Sequence, residues 1–146
     1  LSTLIEDRKS IKTAEQSIKE AESMLQGVNT LDKLPTVLEK AAEGMQFHEA
    51  IITFYEENGK LGSRINTDGN SIGEKVSWKD PEYSGYYSRK NEFVAEFPIS
   101  GRKYNYGNIL YRFIDNRDKL EVNEEVLLER IHDGLSVFAA KVRKQS

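Results

Sequence analysis

The chain has 146 residues and a formal net charge of -3, with acidic and basic residues interspersed. This length suits one domain. The absence of cysteine excludes disulfides, thiolate metal sites and cysteine nucleophiles, and the lack of a basic stripe predicts no nucleic-acid binding.

No apolar run approaches the roughly 20 residues of a membrane span, and no signal-peptide pattern is present. We therefore expect no membrane insertion by this chain. Its cysteine-free composition is compatible with the cytoplasm, which is the expected location. The chain starts at Leu1 inside a helical pattern. We interpret it as a piece of a larger protein.

Residues 1–29 carry the pattern of one polar helix. Steps of seven, and of three and four, form a narrow heptad seam, made of Leu4, Ile11, Ala14, Ile18, Ala21, Leu25 and Val28. Gly27 and Asn29 predict its end. A stripe this narrow predicts packing along one partner helix. We interpret 1–29 as a coiled-coil-like linker before a domain over 30–146.

A second amphipathic helix is predicted over 30–46, with Pro35 in its first turn and Gly44 helping to end it. Residues 48–55 read as a strand. Asn58 and Gly59 are a strong hairpin signal, so we expect 60–65 to return along that strand. Residues 74–78 predict a short edge strand.

The segment 92–114 predicts a long antiparallel hairpin, because apolar residues alternate along 93–99 and 107–113. A final helix follows, with Asn123 as the expected N-cap and a strict three-four apolar spacing. Together the elements predict an α+β fold: an antiparallel sheet of about five strands with the helices on one face, plus an extended N-terminal helix.

This element order resembles that of GAF-type sensor domains. The resemblance covers roughly 30–146 and is carried by AIITFYEENGKL, EFVAEFPI, YGNILYRF and NEEVLLERIHDGLSVFAAKV. The Asn-Lys-Phe-Asp-Glu set of cyclic-nucleotide-binding members cannot be placed here. Bilin-binding members and the methionine-sulfoxide reductase branch need a cysteine. The resemblance therefore implies a GAF-like domain without a known ligand signature and without a cofactor.

A narrower resemblance includes the N-terminal part. The run EDRKSIKTAEQSIKEAESMLQGVNTLDKLPTVLEKAAEGMQFHEA, followed by Trp78 and EFVAEFPI, is similar to the cytoplasmic C-terminal extension of bacterial undecaprenyl-phosphate N-acetylglucosaminyl-1-phosphate transferases. This implies a non-catalytic regulatory or interaction domain of a membrane glycosyltransferase, with an inner-membrane protein as the expected parent. The alternative is a small-molecule-sensing GAF domain of a signal-transduction protein. A stand-alone enzyme fits poorly because no nucleophile set is recognisable.

Six aromatic residues lie in or beside predicted loops and are the candidate ligand-binding residues: Trp78, Tyr83, Tyr86, Tyr87, Tyr104 and Tyr106. A tyrosine combines an apolar ring with a hydrogen-bonding hydroxyl, which suits a small-molecule pocket or a protein interface. The alternative is that these rings pack on the sheet.

Other polar residues are assigned ordinary roles. His48 and His132 are expected at the surface or at its boundary, and two histidines are too few for a metal site. The carboxylates of Asp80 and Asp115 lie in predicted turns, where such groups usually bind local backbone.

The terminal helices carry a further expectation. Their apolar stripes have the same kind of spacing, so they can cover each other within one chain or pair across a two-fold axis. The length of the first helix favours a weak, parallel homodimer, because part of its seam extends past the compact domain.

Overall fold

The computed structural model describes the backbone of residues 2–56, 64–65, 71–82, 92–102 and 104–145. Side chains are described for 13–56, 73–82, 92–102 and 104–142. Within these residues the structure has three α-helices and five strands, which are, in chain order, α1 Ser2–Gln26, α2 Leu34–Met45, β1 Glu49–Tyr55, β2 Arg64–Ile65, β3 Ser71–Lys79, β4 Glu92–Ser100, β5 Asn105–Ile114 and α3 Val122–Gln145. A single 3₁₀ turn, Leu31–Lys33, precedes α2.

The strands form one antiparallel sheet in the order β2-β3-β1-β5-β4. Four of them are long, and β2 adds two residues at one edge. The predicted pairing of 93–99 with 107–113 is confirmed: Phe93 lies opposite Phe113, and Phe97 opposite Ile109. The predicted antiparallel α+β architecture is therefore confirmed.

The partner of β1 differs from the prediction. Residues 60–65 were expected to return along β1, but β1 pairs with β3 on one side and β5 on the other. β2 instead pairs with the start of β3. β3 places Trp78 opposite Ala50 and Val76 opposite Ile52. We infer that burial of these apolar pairs favours β3 over 60–65 as the partner of β1. The turn predicted at Asn58 and Gly59 lies outside the described residues. The expected short edge strand is thus the nine-residue β3.

The hydrophobic core lies between one face of the sheet, here called the inner sheet face, and the helices. Phe47 is 2% exposed, and its ring contacts Trp78, Tyr111 and Phe113 at centroid distances of 5.9, 5.0 and 6.3 Å. On α3, the predicted three-four stripe is buried at Leu128, Ile131, Leu135 and Phe138, and its last residue, Val142, is partly buried against the core. α2 packs over β3, and α3 over β4 and β5.

α1 packs on both α2 and α3 rather than on one partner helix. Ile18 and Ala21 are fully buried, and Leu25 is nearly so. Two glycines permit the close approach. A Cβ on Gly44 would lie 2.5 Å from the Cβ of Ser17, and a Cβ on Gly134 would lie 2.6 Å from Leu25 Cδ2. The seam from Ile18 to Val28 is therefore used inside the chain.

Two helix ends differ from expectation. Gly44 does not end α2; the helix ends at Met45, and Gln46 caps it in the left-handed region with φ 62°. Gly44 serves the α1–α2 contact, where its backbone N–H donates to Ser17 Oγ at 3.1 Å. α3 begins at Val122, so Asn123 lies inside its first turn. The carboxylate of Glu124 accepts the backbone N–H of Glu121 at 2.9 Å, in the manner of the reaching-back half of a capping box.

Candidate functional site

The two faces of the sheet differ in composition. Opposite the inner face lies a surface of alternating residues, here called the outer sheet face: Glu49, Ile51 and Thr53 on β1, Lys75, Ser77 and Lys79 on β3, Glu92, Val94, Glu96 and Pro98 on β4, and Asn108, Leu110 and Arg112 on β5. These side chains are half-buried or exposed. A sheet face of mixed charged and aliphatic residues suits a ligand or a protein partner.

An ion-pair network occupies one end of the outer sheet face. Arg112 Nε donates to Glu49 Oε1 at 3.0 Å, and its NH1 group donates to Glu92 Oε2 at 3.1 Å. The side chains of Arg112, Glu49 and Glu92 are only 26%, 18% and 13% exposed. The hydrogen bond that Arg112 donates to Glu49 and the charges of both carboxylates raise the pKa of Arg112. The network ties β1, β5 and β4 together.

Beside this network the face is aliphatic. Ile51 lies opposite Leu110 on the neighbouring strand, and Val94, 43% exposed, lies opposite Arg112. Lys79 lies opposite Glu49. The face thus offers a carboxylate pair, cationic groups and apolar contacts within a few strand spacings of about 4.8 Å. Such a set can bind a small molecule that has both an apolar part and charged groups.

The connection between β3 and β4 starts and ends at the same end of the sheet as the network. Lys79 lies opposite Glu49, and Glu92 lies opposite Ile114. The two strands are separated by β1 and β5. The ends of the tyrosine-containing segment are therefore beside Arg112, although residues 83–91 lie outside the described part of the chain.

The structure places three of the six predicted aromatic residues. Trp78 is on the inner sheet face, against Phe47. Tyr106 is 8% exposed and belongs to the core cluster. Tyr104 is 58% exposed, with its ring 6.1 Å from that of Tyr106. Tyr83, Tyr86 and Tyr87 lie outside the described residues. The aromatic ligand site stays a prediction.

A cleft of about 600 Å³ lies at the junction of the three helices and the end of β5. Its charged lining includes Arg117, which pairs with Asp115 at 2.9 Å and with Glu124 at 2.5 Å. The guanidinium also lies over the ring of Phe113, 4.5 Å from its centroid. This arginine is therefore engaged in holding the end of β5 to the first turn of α3.

His132 is a residue for which the sequence interpretation was wrong. It was expected at the surface or its boundary, but it is 3% exposed inside the core. Burial lowers the pKa of His132 from 6.5 to about 4, against a smaller opposing effect of Asp133. Its Nε2 lies 2.8 Å from the hydroxyl of Tyr111, and its ring lies 4.8 Å from that of Phe97. The three-four stripe runs beside His132, but a polar residue at the stripe's border gave no signal of burial.

The turn carboxylates have the predicted local roles. Asp80 accepts the backbone N–H of Glu82 at 2.9 Å, and Asp115 accepts that of Arg117 at 3.0 Å. Asp80 also lies 3.3 Å from His48 Nδ1. These contacts confirm the interpretation of both aspartates as turn residues.

Within the described residues, no group of three or more histidine and carboxylate side chains could hold a metal ion. None of the helices described here has the length and apolar character needed to cross a membrane.

Comparison with known proteins assigns no family. The sequence matches no protein-family model, and it matches no curated protein. Among solved structures, the fold is similar to one described as "Crystal structure of A. Aeolicus nlh2 gaf domain in an inactive state". The TM-score is 0.44 and the identity 15%, over 93% of this chain and 99% of that one. A likeness this distant carries no inference about ligand, activity or partner.

Proposed function

We propose that this chain is a non-catalytic, GAF-like regulatory domain that binds a small molecule on its outer sheet face. One observation carries the proposal. The inner sheet face is packed by helices, whereas the outer sheet face presents the half-buried Arg112 network next to the aliphatic pair Ile51 and Leu110. The tyrosines of the 83–91 segment, which starts and ends beside that network, are proposed as further ligand contacts.

The ligand class follows from the chemistry of the face. The network brings the carboxylates of Glu49 and Glu92 to the guanidinium of Arg112, and Lys79 lies opposite Glu49. A compact zwitterion with an apolar part matches this pattern, because its cationic group pairs with a carboxylate and its anionic group with Lys79 or Arg112. Its apolar part then covers Ile51 and Leu110.

The experiment combines native mass spectrometry of the freshly purified protein with ligand-observed NMR against a library of small zwitterions. The discriminating variants are Arg112→Gln and Arg130→Gln. Both arginines form ion pairs, but Arg130 pairs with Glu22 between α1 and α3. Binding that is lost in Arg112→Gln and kept in Arg130→Gln supports the proposal. Binding unaffected by Arg112→Gln, or no binding by the wild-type protein, contradicts it.

The larger protein is a second element of the proposal. The sequence resemblance points to a bacterial membrane glycosyltransferase of the undecaprenyl-phosphate type, and the alternative is a signal-transduction protein. α1 has 25 residues, from Ser2 to Gln26, which corresponds to roughly 38 Å of helix. Such a helix suits a connection to another domain. Several membrane spans upstream in the gene support the first parent, and a kinase or cyclase domain downstream supports the second.

We also propose that two copies associate in parallel through their terminal helices. Ile18, Ala21 and Leu25 are buried inside the chain, so the association needs other apolar groups. α3 supplies them: Val122, Val126 and Val137 are 78%, 58% and 69% exposed, and their spacing of four and eleven places them on one helix face.

Sedimentation equilibrium tests the dimer. We expect a weak, concentration-dependent dimer for the wild-type chain and a monomer for Val126→Asp. Lys19→Asp is a control with a charge change at an exposed α1 position, and it should leave the mass distribution unchanged. A strict monomer at high micromolar wild-type concentration rules out the proposed pairing.

A further inference from the structure

The central strand β5 carries functional groups on both faces of the sheet at adjacent positions. Arg112 points to the outer sheet face, where it holds Glu49 and Glu92. Tyr111 points to the inner face and is fully buried. Consecutive residues of a strand face opposite sides, so a displacement of β5 by a group bound at Arg112 also displaces the Tyr111 side chain.

Tyr111 is joined to α3 by a directional contact. Its hydroxyl lies 2.8 Å from His132 Nε2, and His132 Nδ1 lies 3.4 Å from Glu129 Oε2. A carboxylate only accepts, so Nδ1–H donates to Glu129. Nε2 is then the acceptor, and the Tyr111 hydroxyl donates to it. The three residues form a hydrogen-bonded chain from the strand through the core.

The series of hydrogen bonds ends at the surface of α3. Glu129 is exposed, with 62% of its side chain accessible. It lies three positions after Val126, on the side of the helix that also carries the exposed valines. The hydrogen-bonded series Tyr111–His132–Glu129 therefore begins behind the outer sheet face and ends beside the surface proposed for association with a second copy.

Packing alone does not require this arrangement. His132 is one of two polar side chains classed as buried among the described residues, the other being Ser17. Its ring is confined by Phe97 at 4.8 Å and Tyr111 at 5.7 Å. An apolar pair of similar volume would fill the space without a desolvation cost. The polar pair instead fixes the position of one α3 residue relative to one β5 residue, because a hydrogen bond constrains direction as well as distance.

We propose that Tyr111, His132 and Glu129 couple the outer sheet face at Arg112 to the exposed face of α3. The inference rests on the proposed function in one respect: the signal is a ligand that redistributes the Glu49 and Glu92 contacts of Arg112. The coupling itself is a property of the chain without ligand. It acts through a positional link between strand and helix, with no chemical step.

The test uses the ligand-free protein, so that it is independent of whether a ligand exists. Arg112→Gln removes the outer-face charge and serves as the perturbation. The readout is the set of backbone amide chemical shifts and hydrogen-exchange rates from Glu129 to Asp133, measured in the wild-type background and in Tyr111→Phe. Tyr111→Phe keeps the buried ring and removes only the hydroxyl. Lys75→Gln, which removes an exposed outer-face charge on β3, a strand that packs against α2, is the matched control.

We expect Arg112→Gln to shift these α3 amides in the wild-type background and Lys75→Gln to leave them unchanged. In the Tyr111→Phe background, we expect the shifts caused by Arg112→Gln to fall by at least about half. Equal shifts in both backgrounds, or none in the wild-type background, overturn the inference. If Tyr111→Phe does not fold, His132→Gln takes its place with the same criterion, and the ring-nitrogen shifts of wild-type His132 give a second measure. These shifts must report a protonated Nδ1. A protonated Nε2 contradicts the proposed hydrogen bonds from Tyr111 to His132 and from His132 to Glu129.

Discussion

The two sides of the sheet share the same strands but differ in how their residues are packed. One side is the inner sheet face with the helices that cover it, and the other is the outer sheet face. On the inner side, Ile18 on α1 and Ile109 on β5 are fully buried, and glycine permits the close helix contact at Gly44. On the outer side, Val94 is 43% exposed and the charged groups are half-buried. We infer that the helix side contributes most of the free energy of unfolding. The contacts of the outer side can then change without unfolding the protein.

The largest expected effect of breaking the helix side comes from Ile18→Asp. Ile18 is fully buried, so the substitution buries an unpaired carboxylate and should lower the free energy of unfolding by about 4 kcal/mol or more. Val126→Asp also replaces an aliphatic side chain by aspartate, but at a position that is 58% exposed. It should lower the free energy of unfolding by less than about 0.5 kcal/mol. Urea unfolding at low protein concentration measures both. Similar losses for the two variants would show that the helix side is not where stability lies.

The second prediction concerns pH. The folded-state pKa of His132 is about 4, below its usual 6.5, so the unfolded chain binds a proton more readily. The stability contribution is present above about pH 6.5 and is lost as the pH falls through about 4. The loss amounts to about 3 kcal/mol. His132→Gln removes this titration. Between about pH 6.5 and pH 4, the free energy of unfolding of the wild-type protein should therefore fall relative to that of the variant. Parallel curves for the two proteins would mean that His132 is not buried as a neutral ring.

Gly44→Ala tests the α1–α2 contact. The added methyl meets Ser17 Cβ at 2.5 Å and Ala14 Cα at 2.8 Å, and it should lower stability by about 2 kcal/mol even though alanine favours a helix by about 1 kcal/mol. Gly27→Ala is the control, because its added Cβ meets no atom closer than Met24 O at 3.6 Å. Thermal unfolding followed by circular dichroism compares them. A stabilised Gly44→Ala would show that α1 sits farther from α2.

Apart from the control variants, the smallest expected effect belongs to the outer sheet face. Arg112→Gln should lower the free energy of unfolding by about 1 kcal/mol, since partly exposed ion pairs contribute little to stability. The loss should shrink as salt is added. Chemical denaturation at low and high ionic strength gives the comparison. A loss as large as that of Ile18→Asp would remove the distinction between the two sides.

Periodic elements were predictable from the sequence. The alternation along 93–99 and 107–113 gave the pairing of β4 with β5, and the three-four spacing of Leu128, Ile131 and Leu135 gave the buried face of α3. These predictions succeeded because local period determines which residues share a face. Of the six aromatic residues predicted for a ligand site, Trp78 contributes to the packing around Phe47.

Local spacing was enough to predict the α+β class, the central hairpin and the apolar faces of the helices, because each depends on the pattern within one segment. Only the folded chain shows the partner of β1, the use of Gly44 as a contact, and the burial of His132. It also assembled Arg112 with Glu49, 63 positions away in the chain. Each of these depends on competition between distant segments for the same buried surface or the same ionic partner, and no local pattern records which segment prevails.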